Sequence, residues 1–214
     1  MKYEILVDNK SMEVKSIGAI SYGLYDIVVK IGSDELIEPA KEFITFTLNY
    51  QIDSGKKINP GQSMTYGYWL VKFEKCNMHL EVWEYDLNAT KFIKGADLAL
   101  RYWEEQLYIC EELDADFEPP TADKTVMLSK NILEEDGIIQ GVRYFGEAQS
   151  SGWLLYRDEE DLDEEKERNL ITLRLHELTA KKSDLVCFFG LPSGYRFIIE
   201  DDGYDAWCDE NIVE

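Results

Sequence analysis

The pattern of apolar and polar residues in the first half of the chain predicts a sheet. Short runs in which large apolar residues alternate with polar ones, bounded by turn residues, are typical of half-buried strands. Such runs occupy residues 3–7, 14–20, 24–30, 43–50, 66–73 and 80–85. Ser21-Tyr22-Gly23 and Lys75-Cys76-Asn77 have the composition of turns, and residues 53–61 have that of a loop. We therefore expect a mostly antiparallel sheet.

Residues 95–113 change to a helical period. One side of the predicted helix is apolar, and glutamates occupy much of the remaining surface. The apolar side consists of Leu98, Tyr102, Trp103, Leu107 and Ile109. This spacing predicts a long amphipathic helix. Residues 1–113 are thus expected to form a sheet closed by one long helix.

The segment 114–123 separates two predicted modules. It is acidic and poor in apolar residues, and Pro119-Pro120 disfavours continuation of the preceding helix. We place an N-terminal module at residues 1–117 and a second module at residues 123–214. The two modules share no sequence period, so the chain is not predicted to be a repeat protein.

Shorter elements are predicted in the second module. The expected strands are residues 126–128, 142–145, 153–156, 195–199 and 204–207, and the expected short helices are 130–135 and 183–189. Residues 169–181 begin with the alternation of a strand and become helical from Glu177. Strands and helices therefore occur in both modules without a repeating strand-helix order, which predicts the α+β class with a small α+β domain at the C-terminal end.

The most distinctive stretch of the second module lies at residues 150–167. Ser150-Ser151-Gly152 precedes the apolar run that Trp153 opens, and eight acidic residues follow among the ten residues 158–167. Like charges at this density are typical of a solvated, extended loop. The alternative is contact with a basic groove of a partner protein through Asp158, Glu159, Glu160, Asp161, Asp163 and Glu164. Trp153 is either a core residue or the apolar anchor of that contact.

The charge of the whole chain narrows the class of partner. The chain has 22 basic and 43 acidic residues and a net charge of −21. This charge opposes direct binding to nucleic-acid phosphates and favours attraction of a basic protein. No apolar run has the length of about 18–20 residues that a membrane span needs. We expect a cytoplasmic protein without an export signal, with Cys76, Cys110, Cys187 and Cys208 as reduced thiols.

Catalytic and metal-binding patterns are weak in this sequence. A histidine base could come only from His79 or His176, and neither a Gly-x-Ser-x-Gly turn nor a phosphate-binding glycine loop with lysine occurs. The spacing of Cys76 and His79 fits half of a zinc site, but the other cysteines are remote in sequence. The acidic residues 158–163 and 201–205 do not match a calcium loop. We therefore predict no catalytic residue, cofactor or metal, with a hydrolase that uses a carboxylate pair as the remaining enzymatic alternative.

Several pieces of the second module occur in the order of a known family. They are residues 126–133, 141–144, 151–153, the acidic loop, 185–191 and 194–197. Through these pieces, residues 124–207 resemble the immunity protein 33 family of bacterial polymorphic-toxin systems. Leu154-Leu155-Tyr156 departs from the family, which often has more aromatic residues here. The resemblance implies neutralisation of a toxin by direct binding.

The sequence leads to one functional hypothesis and one alternative. The hypothesis is a non-enzymatic bacterial immunity protein of two α+β modules, which binds a cognate toxin through an acidic surface and blocks its active site. The acidity mildly favours a nuclease as that toxin. The alternative is a regulatory or scaffold module that binds a protein unrelated to toxins.

Overall fold

The computed structural model describes residues 3–134, 137–157 and 170–212. The chain divides into two compact units, residues 1–104 and 105–214, and the division falls inside the helix Asp97–Glu112. Each unit contains its own sheet together with helices. The predicted α+β class is confirmed.

The sheet of the first unit has seven strands. They are β1 Glu4–Asp8, β2 Glu13–Ile17, β3 Asp26–Lys30, β4 Ser63–Tyr66, β5 Trp69–Cys76, β6 His79–Tyr85 and β7 Phe92–Lys94. Their order is β1-β2-β3-β6-β5-β4, and β7 pairs with β6. β3 and β6 are parallel, while the other pairs are antiparallel. The predicted strand 66–73 is divided by a turn at Gly67, whose φ of +55° is accessible to glycine at little cost.

Two long helices belong to this part of the chain, α1 Ile37–Ser54 and α2 Asp97–Glu112. α2 confirms the long helix predicted at 95–113. The strand predicted at 43–50 is wrong, because these residues lie inside α1. The buried residues of α1 recur with helical spacing and are Ala40, Phe43, Ile44, Thr47, Leu48 and Gln51. Thr47, which the alternating pattern places on the solvent side, is completely buried.

The Glu84 carboxylate of β6 binds the first turn of α2. It is 2% exposed and accepts hydrogen bonds from the backbone N–H groups of Leu98 (3.1 Å) and Ala99 (2.8 Å). Burial raises the pKa of Glu84 from its ordinary value of 4.5 to about 7, against the opposite effect of these two hydrogen bonds. The folded protein therefore holds this proton at pH values where the unfolded chain releases it.

This raised pKa predicts a pH-dependent stability. Because the folded-state pKa is above the unfolded value, the free energy of unfolding should fall as pH rises from about 4.5 to 7, by roughly 3 kcal/mol at about 1.4 kcal/mol per pKa unit. We expect Glu84→Gln to remove this part of the pH dependence while Glu35→Gln, at an exposed position, leaves it in place. Urea unfolding at pH 5 and pH 8 measures the pH dependence of the free energy of unfolding for each protein. Parallel pH profiles for Glu84→Gln and the unmodified protein would contradict the assignment.

The second unit has a six-stranded sheet. The strands are β8 Thr125–Ser129, β9 Ile139–Arg143, β10 Ser150–Tyr156, β11 Leu170–Arg174, β12 Tyr195–Glu200 and β13 Gly203–Cys208. Their order is β11-β8-β10-β9-β12-β13, with β8 and β10 parallel and the other pairs antiparallel. A short helix, α3 Leu175–Thr179, and 3₁₀ helices at Lys130–Leu133 and Ser183–Gly190 accompany the sheet. The strands predicted at 195–199 and 204–207 are confirmed as β12 and β13, which pair as a hairpin.

The core of the second unit lies against one face of this sheet. The Trp153 ring packs against Phe189 (centroids 6.0 Å apart) and Phe197 (5.4 Å), and Phe188 stacks on Phe197 at 4.3 Å. A Cβ atom at Gly141 would overlap the Phe197 ring, so the strand beside Phe197 requires a glycine. We call the sheet face that carries this core the inner face.

The segment 114–123 makes its hydrogen bonds within the second unit. The Glu118 N–H donates to the Gly190 carbonyl at 2.9 Å, and the Glu118 carbonyl accepts from Arg143 at 2.7 Å. His176 Nδ1 lies 3.0 Å from the carbonyl oxygen of Ala122. These contacts join the segment that we predicted as a linker to the sheet that follows it.

Candidate functional site

The outer face of the second sheet carries a continuous row of side chains. Trp153 and Phe197 point to the inner face. Because strand residues alternate between faces, the residues adjacent to them in each strand point to the outer face. The strand register places one such residue from each strand side by side. In strand order they are Thr172, Met127, Leu154, Val142, Arg196 and Trp207, which we call the outer row.

The outer row exposes large apolar side chains on both flanks. Met127 is 47% exposed and Trp207 is 41% exposed, whereas Val142 in the middle is buried. Arg196 is the cation of the row, and its Nε donates to Asp209 Oδ2 at 2.6 Å. Apolar groups exposed around a fixed polar group are typical of protein-binding surfaces. The row can therefore supply both apolar contact and an ion pair of fixed position.

Two further aromatic residues are exposed directly after β9. Tyr144 is exposed, and Phe145 is 69% exposed. The Tyr144 N–H donates to the Gly152 carbonyl at 2.9 Å, and Ser193 Oγ donates to the Tyr144 carbonyl at 3.2 Å. The backbone of Tyr144 is thus held on both sides. A fixed backbone lowers the entropy cost when such an aromatic side chain contacts a partner.

The Ser151-Gly152-Trp153 motif has a structural role in this sheet. Ser151 Oγ donates to the Thr125 carbonyl at 2.8 Å and accepts from the Trp153 N–H at 3.2 Å. Gly152 has a φ of +82°, and a Cβ atom there would collide with the Tyr144 carbonyl. These three residues position β10 between its two neighbouring strands.

The buried Arg143 guanidinium connects three parts of the second unit. It donates to the carbonyls of Glu118, Leu191 and Ser151, and it lies 6.0 Å from the Trp153 ring. Burial lowers the pKa of Arg143 to about 10, which still leaves it charged at neutral pH. The sequence indicates only a strand position for Arg143, because its three acceptors are backbone carbonyls, two of them 25 and 48 residues away. Its position identifies it as a support for the outer face.

A second ordered surface feature joins α2 to β13. Glu112 accepts hydrogen bonds from both Tyr108 and Tyr204, each at 2.6 Å. The two hydroxyl groups lower the pKa of Glu112, and the carboxylate raises the pKa of Tyr204 to about 12. Both tyrosine rings are exposed. Two aromatic rings held by one carboxylate form a pre-ordered contact surface.

The structure describes only one of the residues predicted to contact a partner. Trp153 is 1% exposed, so its indole belongs to the core, and the nearby exposed aromatic residues are Tyr144, Phe145 and Trp207. The other six predicted residues lie outside the described part of the chain, and their contact role stays a prediction. They are Asp158, Glu159, Glu160, Asp161, Asp163 and Glu164. Within the described part, no helix combines the length and apolarity needed to cross a membrane.

The second unit is a small α+β domain with one sheet face packed against its core and the outer row on the other face. Residues 105–209 match the family model of the Imm33-like domain. This part of the chain is therefore an Imm33-like domain. The resemblance noted for residues 124–207 is confirmed, and the match begins earlier, within α2. No curated protein and no solved structure shows a significant match to the chain.

Proposed function

We propose that this protein is a bacterial immunity protein that binds a cognate toxin and neutralises it by direct contact, without catalysis. The observation that carries the proposal is the Imm33-like domain at residues 105–209, which belongs to an immunity-protein family. The buried polar side chains of Arg143 and Ser151 hydrogen bond to the chain's own backbone, which is a structural and not a catalytic use of these groups.

Charge and apolar surface have different parts in the proposed complex. The net charge of −21 attracts a basic toxin from a distance and raises the association rate. Solvated charges add little durable affinity, so apolar contacts must hold the complex. The outer row and the exposed Tyr144 and Phe145 provide such contacts. A basic groove that accommodates phosphates would suit the acidic chain, which makes a nuclease the proposed type of toxin.

Toxins encoded beside this protein provide the direct test. Each is produced with and without the protein in the same cells, and the pair is analysed for a stable complex by calorimetry. We expect one neighbouring toxin to bind and to lose its toxicity. If none of the neighbouring toxins binds and no cells are protected, the proposal is wrong.

The acidic residues 158–161 give a kinetic prediction for this complex. Changing all four to serine should slow association roughly 10-fold and flatten its salt dependence, because electrostatic steering accelerates encounter by about 10–10³-fold. Stopped-flow mixing at several salt concentrations measures the rate. The matched control removes four exposed acids of the first unit, Asp34, Glu35, Glu38 and Asp53. Equal effects of the two variants would show that only net charge matters.

A further inference from the structure

Three metal-ligating side chains meet on the sheet of the first unit. The ligand atoms of Cys76, His79 and Glu81 lie within 4.8 Å of one another. His79 Nε2 is 4.0 Å from Glu81 Oε1, and all three residues are half-buried. Glu81 was not part of the Cys-His spacing visible in the sequence. It supplies a third ligand without another cysteine.

The β5–β6 hairpin creates this arrangement. Cys76 and His79 are directly opposite each other as the last pair of the two strands, and Glu81 follows His79 on the same face. Opposite residues of an antiparallel pair have Cβ atoms about 4.5–5.5 Å apart, which lets their side chains reach one ion. Asn77 forms the turn with a φ of +54°, a conformation that asparagine tolerates. The three ligands are therefore held by a regular, hydrogen-bonded framework.

A thiolate, an imidazole and a carboxylate together favour zinc. Zinc binds these groups at about 2.0–2.3 Å, so ligand atoms around one tetrahedral ion lie roughly 3–4 Å apart. The present separations require only a small contraction. Cys76 and His79, at the end of the hairpin, can achieve this contraction by rotation of their side chains. Three protein ligands leave a fourth position for water, unlike the closed four-ligand site that the cysteine spacing argues against.

The carboxylate of the cluster already binds one cation, a lysine ammonium group. Lys94 Nζ lies 2.7 Å from Glu81 Oε1 and 3.7 Å from Glu13 Oε1. A positive group is thus already bound beside the Glu81 carboxylate. A metal ion at the cluster would compete with Lys94 for that carboxylate, while Glu13 could retain the ammonium group.

We propose that Cys76 Sγ, a ring nitrogen of His79 and a carboxylate oxygen of Glu81 bind one zinc ion, with Lys94 displaced from Glu81 and water as the fourth ligand. The thiol proton passes to solvent when the metal binds. The ion would connect the two ends of the β5–β6 hairpin. This site lies in the first unit, and the zinc proposal can be tested independently of the toxin-binding proposal.

Cobalt substitution tests the site on the full chain. The reduced protein is treated with a chelator, dialysed and titrated with Co²⁺, and Zn²⁺ is then added. We expect one Co²⁺ per chain with the near-ultraviolet absorption of a thiolate-cobalt bond, and loss of that absorption when Zn²⁺ replaces it. Cys76→Ser should abolish the absorption, and His79→Gln or Glu81→Gln should weaken binding by at least the roughly 10–100-fold that follows loss of an outer-shell partner.

Two more variants make the test specific. Cys208→Ser removes an exposed cysteine elsewhere in the chain and should leave the titration unchanged. Lys94→Met frees Glu81 and should tighten binding several-fold. Circular dichroism of each variant distinguishes lost ligation from lost folding. The proposal is overturned if the absorption never appears, persists in Cys76→Ser, or depends on Cys208, or if Lys94→Met weakens binding in a folded protein.

Discussion

Replacing Arg143 with methionine is expected to lower the free energy of unfolding of the second unit by about 3 kcal/mol. The change leaves the carbonyls of Glu118, Leu191 and Ser151 without their donor, and an unsatisfied buried polar group costs about 1–3 kcal/mol. Methionine carries no charge, so the variant does not have to desolvate a buried guanidinium group, and this offsets part of the destabilisation. Because three acceptors lose one shared donor, the loss should exceed the gain.

Urea unfolding measures this effect, and amide exchange of residues 139–156 assigns it to the second unit. Arg101→Met makes the same chemical change at an exposed position of the first unit and should alter stability by no more than about 0.5 kcal/mol. Arg143→Lys keeps the charge but loses the planar set of donors, so an intermediate loss is expected. A loss below about 1 kcal/mol in Arg143→Met would mean that the three carbonyls find other donors.

Replacing Trp207 with alanine is expected to weaken binding of the proposed toxin by about 2 kcal/mol, or roughly 30-fold. Tryptophan is enriched among interface residues whose truncation costs this much. Trp207 is at the edge of the outer row beside Arg196, and Asp209 holds that arginine in place. The loss should appear mainly as faster dissociation, because a side-chain contact acts after encounter.

Phe46→Ala is the matched control for Trp207→Ala. Phe46 belongs to the first unit and is 44% exposed, close to the 41% of Trp207. Calorimetry with the cognate toxin should therefore detect a change only for Trp207. Equal affinities of the Trp207→Ala variant and the unmodified protein would remove the outer row from the interface. Met127→Asp, at the opposite flank of the row, tests whether the complex covers its full width.

Local patterns in the sequence predicted many of the elements. The helical period of residues 95–113 led to α2, and the predicted strands at 195–199 and 204–207 correspond to β12 and β13. The same reasoning failed at α1, because threonines and aromatic residues alternate there as they do in strands. The helical period becomes visible only when Ala40 and Gln51, outside the alternating run, are included. Short apolar runs carry too little information to separate the two periods.

Contacts between distant residues could not be predicted in this way. The outer row depends on the register of five strand pairs, and no local signal specifies which strands become neighbours. Arg143 donates to backbone carbonyls as far as 48 residues away, and any residue type can supply a carbonyl. The Glu81 carboxylate joins Cys76 because of a hairpin pairing, not because of a recognised motif. The residues of the candidate sites are thus visible in the sequence, but their grouping is not.

The position of β8 between β10 and β11 has a consequence for how this domain can vary. β10 ends at Tyr156 and β11 begins at Leu170, and both pair with β8 instead of with each other. The register of β10 and of β11 is therefore set by the pairing of each strand with β8. Under the proposed function, the charge of the sequence between β10 and β11 can vary with the toxin, while β8 continues to hold both strands.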